Sequence, residues 1–395
     1  MSKKPISNKI LLAAGGTGGH IFPAVALAGE LAEEGYEVHF ATDKRGMAFS
    51  SHFNDCETHA LVAATVYGGG IFALPVRLLR LAYSLLQAFV LILRVRPSVV
   101  VGFGGYPSFA PSLMAMLLRV PVLVHEQNAV FGRANRMLAR LGAHVATSFK
   151  DTSDLPKRAR RRTRRTGNPL RNSVIEETSG GYRFLSSSRP FDLLIFGGSQ
   201  GAQVFNKVVP EAMSRLPEPL RKRLRITHQS RAADMTTLLK VYNDAGIYAE
   251  IRDFYDDMPR RIRRAHLVIC RAGASTVSEL AAIGAPSILV PLPGALDADQ
   301  LNNTRELASK GGCWVMPQPL FLAGRLAAKI ESLMENPDRL LEASEAARSV
   351  RVLDAARKLS RYSICLAHRR PIQLEPGAFS SSFGSVKSSN IGNGA

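Results

Sequence analysis

Short apolar runs recur along the chain, most of them closed by glycine or small polar residues. Lys9-Ile10-Leu11-Leu12-Ala13-Ala14 runs into Gly15-Gly16-Thr17-Gly18-Gly19-His20, and a stretch with helical spacing follows from about Pro23 to Glu34. The same plan returns at Pro97–Val101 before Gly102-Phe103-Gly104-Gly105-Tyr106, and at Phe191–Phe196 before Gly197-Gly198-Ser199-Gln200-Gly201-Ala202. Further strands are expected over residues 35–42, 121–124 and 143–147 in the first half, and over 224–229, 248–251, 265–270 and 286–291 in the second. Strand alternating with helix predicts a parallel sheet in each half. Two such halves imply a cleft between them. Glycine turns on both sides suggest two phosphate-bearing ligands, one donor and one acceptor, and so a transferase.

Each glycine turn removes the Cβ atoms that would block a close ligand. The helix that follows points its free N–H groups back at the turn, an arrangement suited to a diphosphate. His20 sits at the mouth of the first turn. His125-Glu126-Gln127-Asn128 lies at the carboxyl end of a parallel strand, where open α/β sheets bind ligands.

Two segments depart from this plan. The apolar run Ile71–Leu93 carries Arg77, Arg80, Ser84, Gln87 and Arg94 as a narrow polar stripe at helical spacing. Its longest uncharged stretch, Leu81–Leu93, is shorter than the roughly 20 residues of a membrane span. A span, a mostly buried amphipathic helix and a helix on a membrane surface all remain open. Lys157–Arg165 is a dense basic run, readable as a solvated loop, a contact with membrane phosphates or a nucleic-acid contact. Thr166-Gly167-Asn168-Pro169-Leu170-Arg171 is expected to be an interdomain hinge, flexible at Gly167 and rigid at Pro169. The Ser-, Gly- and Asn-rich tail is expected to be disordered.

The net charge of +19 calls for a polyanionic neighbour. An aromatic stacking surface or a nucleic-acid motif is lacking, which disfavours a nucleic acid. Cys56, Cys270, Cys313 and Cys365 form no CxxC pair, which argues against a disulfide framework or a zinc site and fits a reducing cytoplasm. No signal-peptide core follows Met1. Gly15–His20 does not match GxGxxG, which makes a dinucleotide oxidoreductase unlikely.

Taken together and in order, GGTGGHIFPA, GFGGYPS, HEQNAVFGRANR, TGNPLR, FGGSQGA, FYDDMP, CRAGASTVSELAAIGAPSILVPLP and DADQLNN resemble the MurG family of bacterial peptidoglycan synthesis, from about Ile10 to Leu366. The resemblance implies a GT-B fold: two Rossmann-like α/β domains with a central cleft. The expected division is residues 8–168 for the acceptor and membrane, 169–366 for UDP-GlcNAc, and 367–395 for the tail. The implied reaction moves GlcNAc, with inversion, from UDP-GlcNAc to the MurNAc 4-hydroxyl of lipid I (undecaprenyl-pyrophosphoryl-MurNAc-pentapeptide), giving lipid II. No metal and no cofactor are implied, in keeping with the lack of a His/Cys ligand cluster along the sequence. The implied location is peripheral, on the anionic cytoplasmic face of the inner membrane. A UDP-GlcNAc 2-epimerase of the same plan and a basic membrane- or RNA-binding module are the alternatives.

An inverting transfer needs a base for the acceptor proton and N–H groups or positive charge for the leaving diphosphate. His20 and Glu126 are the rival bases. Thr17, Gly18 and Gly19 are expected to meet phosphate or substrate, Tyr106 to help hold the acceptor diphosphate, and Asn128 to reach the donor sugar. By the resemblance, Arg171 and Ser199 meet donor phosphates, Ala274, Ser275 and Thr276 lie beside the nucleotide, and Gln300, with Asn303 nearby, selects the sugar. Glu279 either accepts from the ribose or closes its helix through the capping box Thr276-Val277-Ser278-Glu279. Tyr255 occupies a position from which the family's backbone contacts uracil, and Asp299 stands where relatives commonly carry His or Gln.

Overall fold

The computed structural model describes residues 7–53, 56–63, 74–184, 186, 189–197, 203–294 and 299–370. The first unit runs β1 (Lys9–Ala13), α1 (Gly18–Glu33), β2 (Glu37–Thr42), β3 (Glu57–Ala60), α2 (Leu74–Val95), β4 (Val99–Gly102), α3 (Tyr106–Leu117), β5 (Val122–Glu126), α4 (Arg133–Leu141), β6 (His144–Thr147) and β7 (Thr163–Arg165). The second runs α5 (Asn172–Glu176), β8 (Phe191–Phe196), α6 (Gln203–Ser214), α7 (Glu218–Arg221), β9 (Leu224–Gln229), α8 (Ala232–Asp244), β10 (Tyr248–Arg252), α9 (Met258–Arg264), β11 (Leu267–Cys270), α10 (Ala274–Ile283) and β12 (Ser287–Leu289). It continues with α11 (Asp299–Asn303), α12 (Arg305–Ser309), β13 (Cys313–Val315), α13 (Ala323–Glu335), α14 (Asp338–Ser349) and α15 (Ala355–Ala367).

Both sheets are parallel throughout, in the orders β3-β2-β1-β4-β5-β6-β7 and β10-β9-β8-β11-β12-β13. Their central strands are apolar on both faces because helices cover both sides: β1 and β4 are buried almost end to end. Strand order reverses between β1 and β4 in one sheet and between β8 and β11 in the other. A crevice opens at the carboxyl ends of the strands at each reversal. The first two glycine turns therefore adjoin one another, and in the second unit the end of β8 and the start of α10 occupy the equivalent place.

Strands β3, β7 and β13 were not expected. All three are short edge strands without a long apolar run, and pairing to a neighbour defines them. The basic run 157–165 is a 3-10 turn followed by β7, anchored by the buried Ala159. The hinge is also tighter than expected. Thr166 through Leu170 are all buried. Gly167 has φ +86°, and a Cβ there would lie 2.6 Å from Val352 Cγ1. It is a packed crossing point, where only glycine fits.

Helix α15 lies in the second segment by chain position, yet packs in the first unit's core. Leu359, Tyr362 and Leu366 join Ile21, Leu27 and Phe40 there, and the Tyr362 hydroxyl donates to Arg162 O at 2.7 Å. The chain thus crosses between units twice.

Helix α2 corrects the expectation of a mostly buried helix. Ala88, Leu91, Ile92 and Val95 pack on the sheet, but Leu78, Leu79, Tyr83, Leu86, Val90 and Leu93 are exposed. Residues Pro75–Val95 are long and apolar enough to cross a membrane, and only 22% of that window is buried within the protein.

Candidate active site

The first glycine turn is built by its neighbours. A Cβ on Gly15 would lie 2.5 Å from Pro107 Cγ, just beyond the second turn. Asp43, buried at the end of β2, accepts from Gly16 N at 3.3 Å and Gly46 N at 2.9 Å, which fixes the outer side of the turn. Thr17 is the N-cap residue of α1, and its hydroxyl makes no capping bond. Gly18 and Gly19 open the helix and His20 follows. A Cβ on Gly104 or Gly105 would stand 3.7–3.8 Å from the His20 ring, so the ring lies against the second turn. Burial lowers the His20 pKa, opposed in part by the Gly15 carbonyl, and the buried Nδ1 has no partner among the described residues. The ring is neutral at neutral pH. Tyr106 begins α3 at the same mouth and is half exposed.

Glu126 sits in a different setting. It ends β5, and its carboxylate accepts from Asn128 N at 3.1 Å, Gly132 N at 2.9 Å and Asn135 Nδ2 at 2.9 Å. Burial raises its pKa against those three donors. Next to it, His125 Nε2 meets the Gly167 carbonyl at 3.0 Å, and burial lowers its pKa to about 4. Gln127 Nε2 donates to Phe103 O in the second turn at 2.9 Å. The end of β5 is therefore a junction joining the hinge, the second turn and the loop before α4. Asp43 and Asn135 were not among the expected site residues. Asp43 is marked in the sequence as a polar side chain directly after a buried strand, whereas Asn135 lies within α4 and carries no such signal.

The second unit closes over this face. Gly273 is the N-cap residue of α10, which puts Ala274, Ser275 and Thr276 in its first turn. The Ser275 hydroxyl donates to Gly19 O at 3.3 Å, beside His20. Asn168 Nδ2 approaches the same hydroxyl at 3.5 Å. With the helix starting at Ala274, Thr276 is already helical, and the capping-box reading of Glu279 fails. Glu279 instead lies one turn further in and accepts from Arg171 at 3.1 Å. Burial raises its pKa, with Arg171 pulling the other way. The Arg171 guanidinium also stacks 4.4 Å over the Phe22 ring of the first unit.

Asn303 is fully buried and joins the two units. Its Oδ1 accepts from Ala129 N at 2.8 Å, and its Nδ2 donates to Asn128 Oδ1 and Ala272 O, both at 3.1 Å. Gln300 Oε1 accepts from Ala272 N at 3.2 Å and Leu292 N at 3.0 Å. The Tyr255 side chain turns inward, donating to Glu250 O at 3.0 Å under the Arg261 guanidinium, and burial raises its pKa to about 12. Ser199 lies outside the described residues.

No spacing along the chain marks a ligand cluster, yet His39, Glu57 and His59 meet at the outer edge of the first sheet. Parallel pairing of β2 with β3 brings them together.

The glycosyltransferase family 28 N-terminal domain matches residues 10–147, and the family 28 C-terminal domain matches 192–359. A UDP-N-acetylglucosamine--N-acetylmuramyl-(pentapeptide) pyrophosphoryl-undecaprenol N-acetylglucosamine transferase of Methylobacterium sp. (strain 4-46) is 47% identical over 352 residues, 89% of this chain and 95% of that protein. The chain belongs to the MurG family. The crystal structure of Acinetobacter baumannii MurG is similar with a TM-score of 0.73 at 29% identity, over 90% of this chain and 99% of that one. A UDP-GlcNAc 2-epimerase from Neisseria meningitidis bound to UDP-GlcNAc has a TM-score of 0.64 at 10% identity, over 90% of this chain and 99% of its own, a likeness of fold alone. Within the MurG family, the GT-B plan of two parallel-sheet units stands as expected.

Proposed function

We infer that this chain is the UDP-GlcNAc-dependent N-acetylglucosaminyltransferase that converts lipid I to lipid II, with the acceptor on the first unit and the donor on the second. The observation that carries the placement is the contact of Ser275 with Gly19. It sets the free N–H groups of α10 opposite the first glycine turn, so that a diphosphate at one and an acceptor at the other would meet beside His20.

His20 is the general base. Its ring is neutral at neutral pH and keeps a nitrogen without a partner among the described residues. The 4-hydroxyl proton passes to it as the oxygen attacks the anomeric carbon and the bond to UDP breaks on the opposite face, which inverts the centre. The N–H groups of Ala274, Ser275 and Thr276 and the Arg171 guanidinium receive the charge that develops on the diphosphate. Glu279 holds Arg171 with one oxygen and offers the other to the ribose. Thr17, Gly18, Gly19 and Tyr106 border the acceptor diphosphate. Glu126, Gln300 and Asn303 act through the backbone they hold, Asn128 acts through its bond to Asn303, and Tyr255 presents its own backbone to the uracil.

The exposed apolar face of α2, with Arg77 and Arg80 on the helix and Arg94 and Arg96 at its end, suits a peripheral seat on an anionic membrane. That face belongs to the acceptor unit, where a polyprenyl chain would enter. We place the enzyme on the cytoplasmic face of the inner membrane, where its nucleotide substrate is found.

The test is release of UDP from UDP-GlcNAc in the presence and absence of lipid I. Release that depends on lipid I, with a β-linked disaccharide as product, is expected. Epimerised sugar nucleotide formed without lipid I would overturn the assignment.

A further inference from the structure

Strands β2 and β3 carry the same tripeptide pattern, Glu37-Val38-His39 and Glu57-Thr58-His59. Their parallel register pairs His39 with Glu57 and Ala41 with His59. Alternation along a strand then puts His39, Glu57 and His59 on one face. It is the face covered by α2, since Ala41 packs there with Leu91, Ile92 and Val95. His39 Nδ1 and His59 Nε2 lie 3.1 Å apart. Glu57 Oε2 is 3.5 Å from His39 Nδ1, and Glu57 Oε1 is 3.8 Å from His59 Nε2. Two donors each about 2.1 Å from zinc at a tetrahedral angle stand about 3.4 Å apart. Taking one ligand atom from each residue, the three donors all lie within 4.8 Å of one another, close enough to share one such ion.

The remaining nitrogen of His39 is already fixed. Nε2 donates to Glu37 Oε1 at 2.9 Å, and Lys9 Nζ holds that carboxylate at 2.9 Å. A proton on Nε2 leaves the Nδ1 lone pair facing His59 and Glu57. Metal-binding imidazoles are commonly oriented by a carboxylate in this way. His39 is buried and His59 nearly so, whereas the Glu57 side chain is 56% exposed and opens the cluster to solvent. Arg94, near His59, is the cation that opposes a bound metal ion.

We propose that His39, Glu57 and His59 bind one divalent first-row transition ion, zinc in particular, with water completing the shell. The ion pins the edge strand β3 to β2 beneath α2. The site lies on the β3 edge of the sheet, outside the β1–β4 crevice, and its role is structural. Without the ion, a single hydrogen bond between the two rings is the competing arrangement, and binding displaces that proton.

The experiment uses the full chain without an affinity tag, stripped with a chelator and titrated with Zn²⁺ against a chromogenic competitor. One equivalent is expected to bind. His59→Gln abolishes it, Glu57→Gln weakens it at least about tenfold, and Glu37→Gln weakens it by about 10–100-fold through the loss of the orienting bond. Cys56→Ser leaves it unchanged, because Cys56 packs on the opposite face with the α1 and α15 core. X-ray absorption at the zinc edge then shows two imidazoles with oxygen donors. Wild type failing to outcompete the chromophore, a folded His59→Gln variant that still binds one equivalent, or sulfur in the zinc shell would each overturn the proposal. Glu57 and Glu37 are exposed, so their variants remain informative if His39 variants fail to fold.

Discussion

His20 and Glu126 are both titratable, both in the first unit, and both at the carboxyl ends of parallel strands or just beyond. Their surroundings separate them. His20 touches glycine turns that hold it by shape, and one ring nitrogen has no partner among the described residues. Glu126 is bound by three N–H donors, two from the backbone of the loop that follows it and one from the Asn135 side chain on α4. A carboxylate engaged in this way organises backbone, whereas a neutral imidazole beside a cradle of free N–H groups is ready to take a proton. The difference between acting on substrate and acting on the fold is thus a difference in hydrogen-bond occupancy, not in residue type or position along the strand.

The sharpest way to break this comparison is His20→Ala. Turnover should fall by about 10²–10⁴-fold, in a protein that still unfolds cooperatively. Steady-state kinetics beside a melting curve checks both halves, and full turnover would remove His20 from the mechanism.

Acid exposes the Glu126 side. The pKa of its neighbour His125 is lowered to about 4 by burial, against 6.5 unfolded. The corresponding stability is fully present above pH 6.5 and is lost as pH falls through 4, on the order of 3 kcal/mol from this one group. Glu126, whose pKa is raised, works in the opposite sense, losing stability as pH rises. Denaturant melts between pH 7 and pH 4 should show the acid limb, and His125→Gln should flatten it. An equally steep limb in that variant would assign the loss elsewhere.

Glu126→Gln is expected to cost about 1–3 kcal/mol of stability. One oxygen can still accept from Gly132 and Asn135, but the new NH₂ then faces the Asn128 N–H. Chemical denaturation reads this directly, and a variant of native stability with no turnover would make Glu126 catalytic after all. The smallest effect is expected for Glu279→Gln. It should raise the UDP-GlcNAc KM about tenfold, or about 1.4 kcal/mol, and leave kcat close to wild type.

Much of this was legible in the sequence, for identifiable reasons. Long buried strands announced themselves as apolar runs, and the glycine turns marked where they end. His20, Glu126, Arg171 and Ser275 fall at the β-strand ends and helix starts those signals fix. What could not be read depended on register or on which residue begins a helix. Glu279 looks like part of a capping box only if α10 begins three residues later than it does. Edge strands β3 and β7 carry no apolar signature, and the His39–Glu57–His59 cluster exists only through the pairing of β3. The backbone bonds of Asn303 and Gln300, which cross long sequence separations, carry no signal along the chain. Gly167 was expected to be loose, and the packing of Val352 against it comes from a segment far along the chain.

The most direct test of the central claim is the pH dependence of kcat/KM for lipid I in three forms: wild type, His20→Ala and Glu126→Gln. His20 and Glu126 would each produce an acid limb, so the variant in which the limb vanishes identifies the base. The account predicts a wild-type limb with a pKa below 6.5, retained at reduced amplitude in Glu126→Gln and absent from the residual activity of His20→Ala. A limb that survives in His20→Ala and disappears in Glu126→Gln would contradict it.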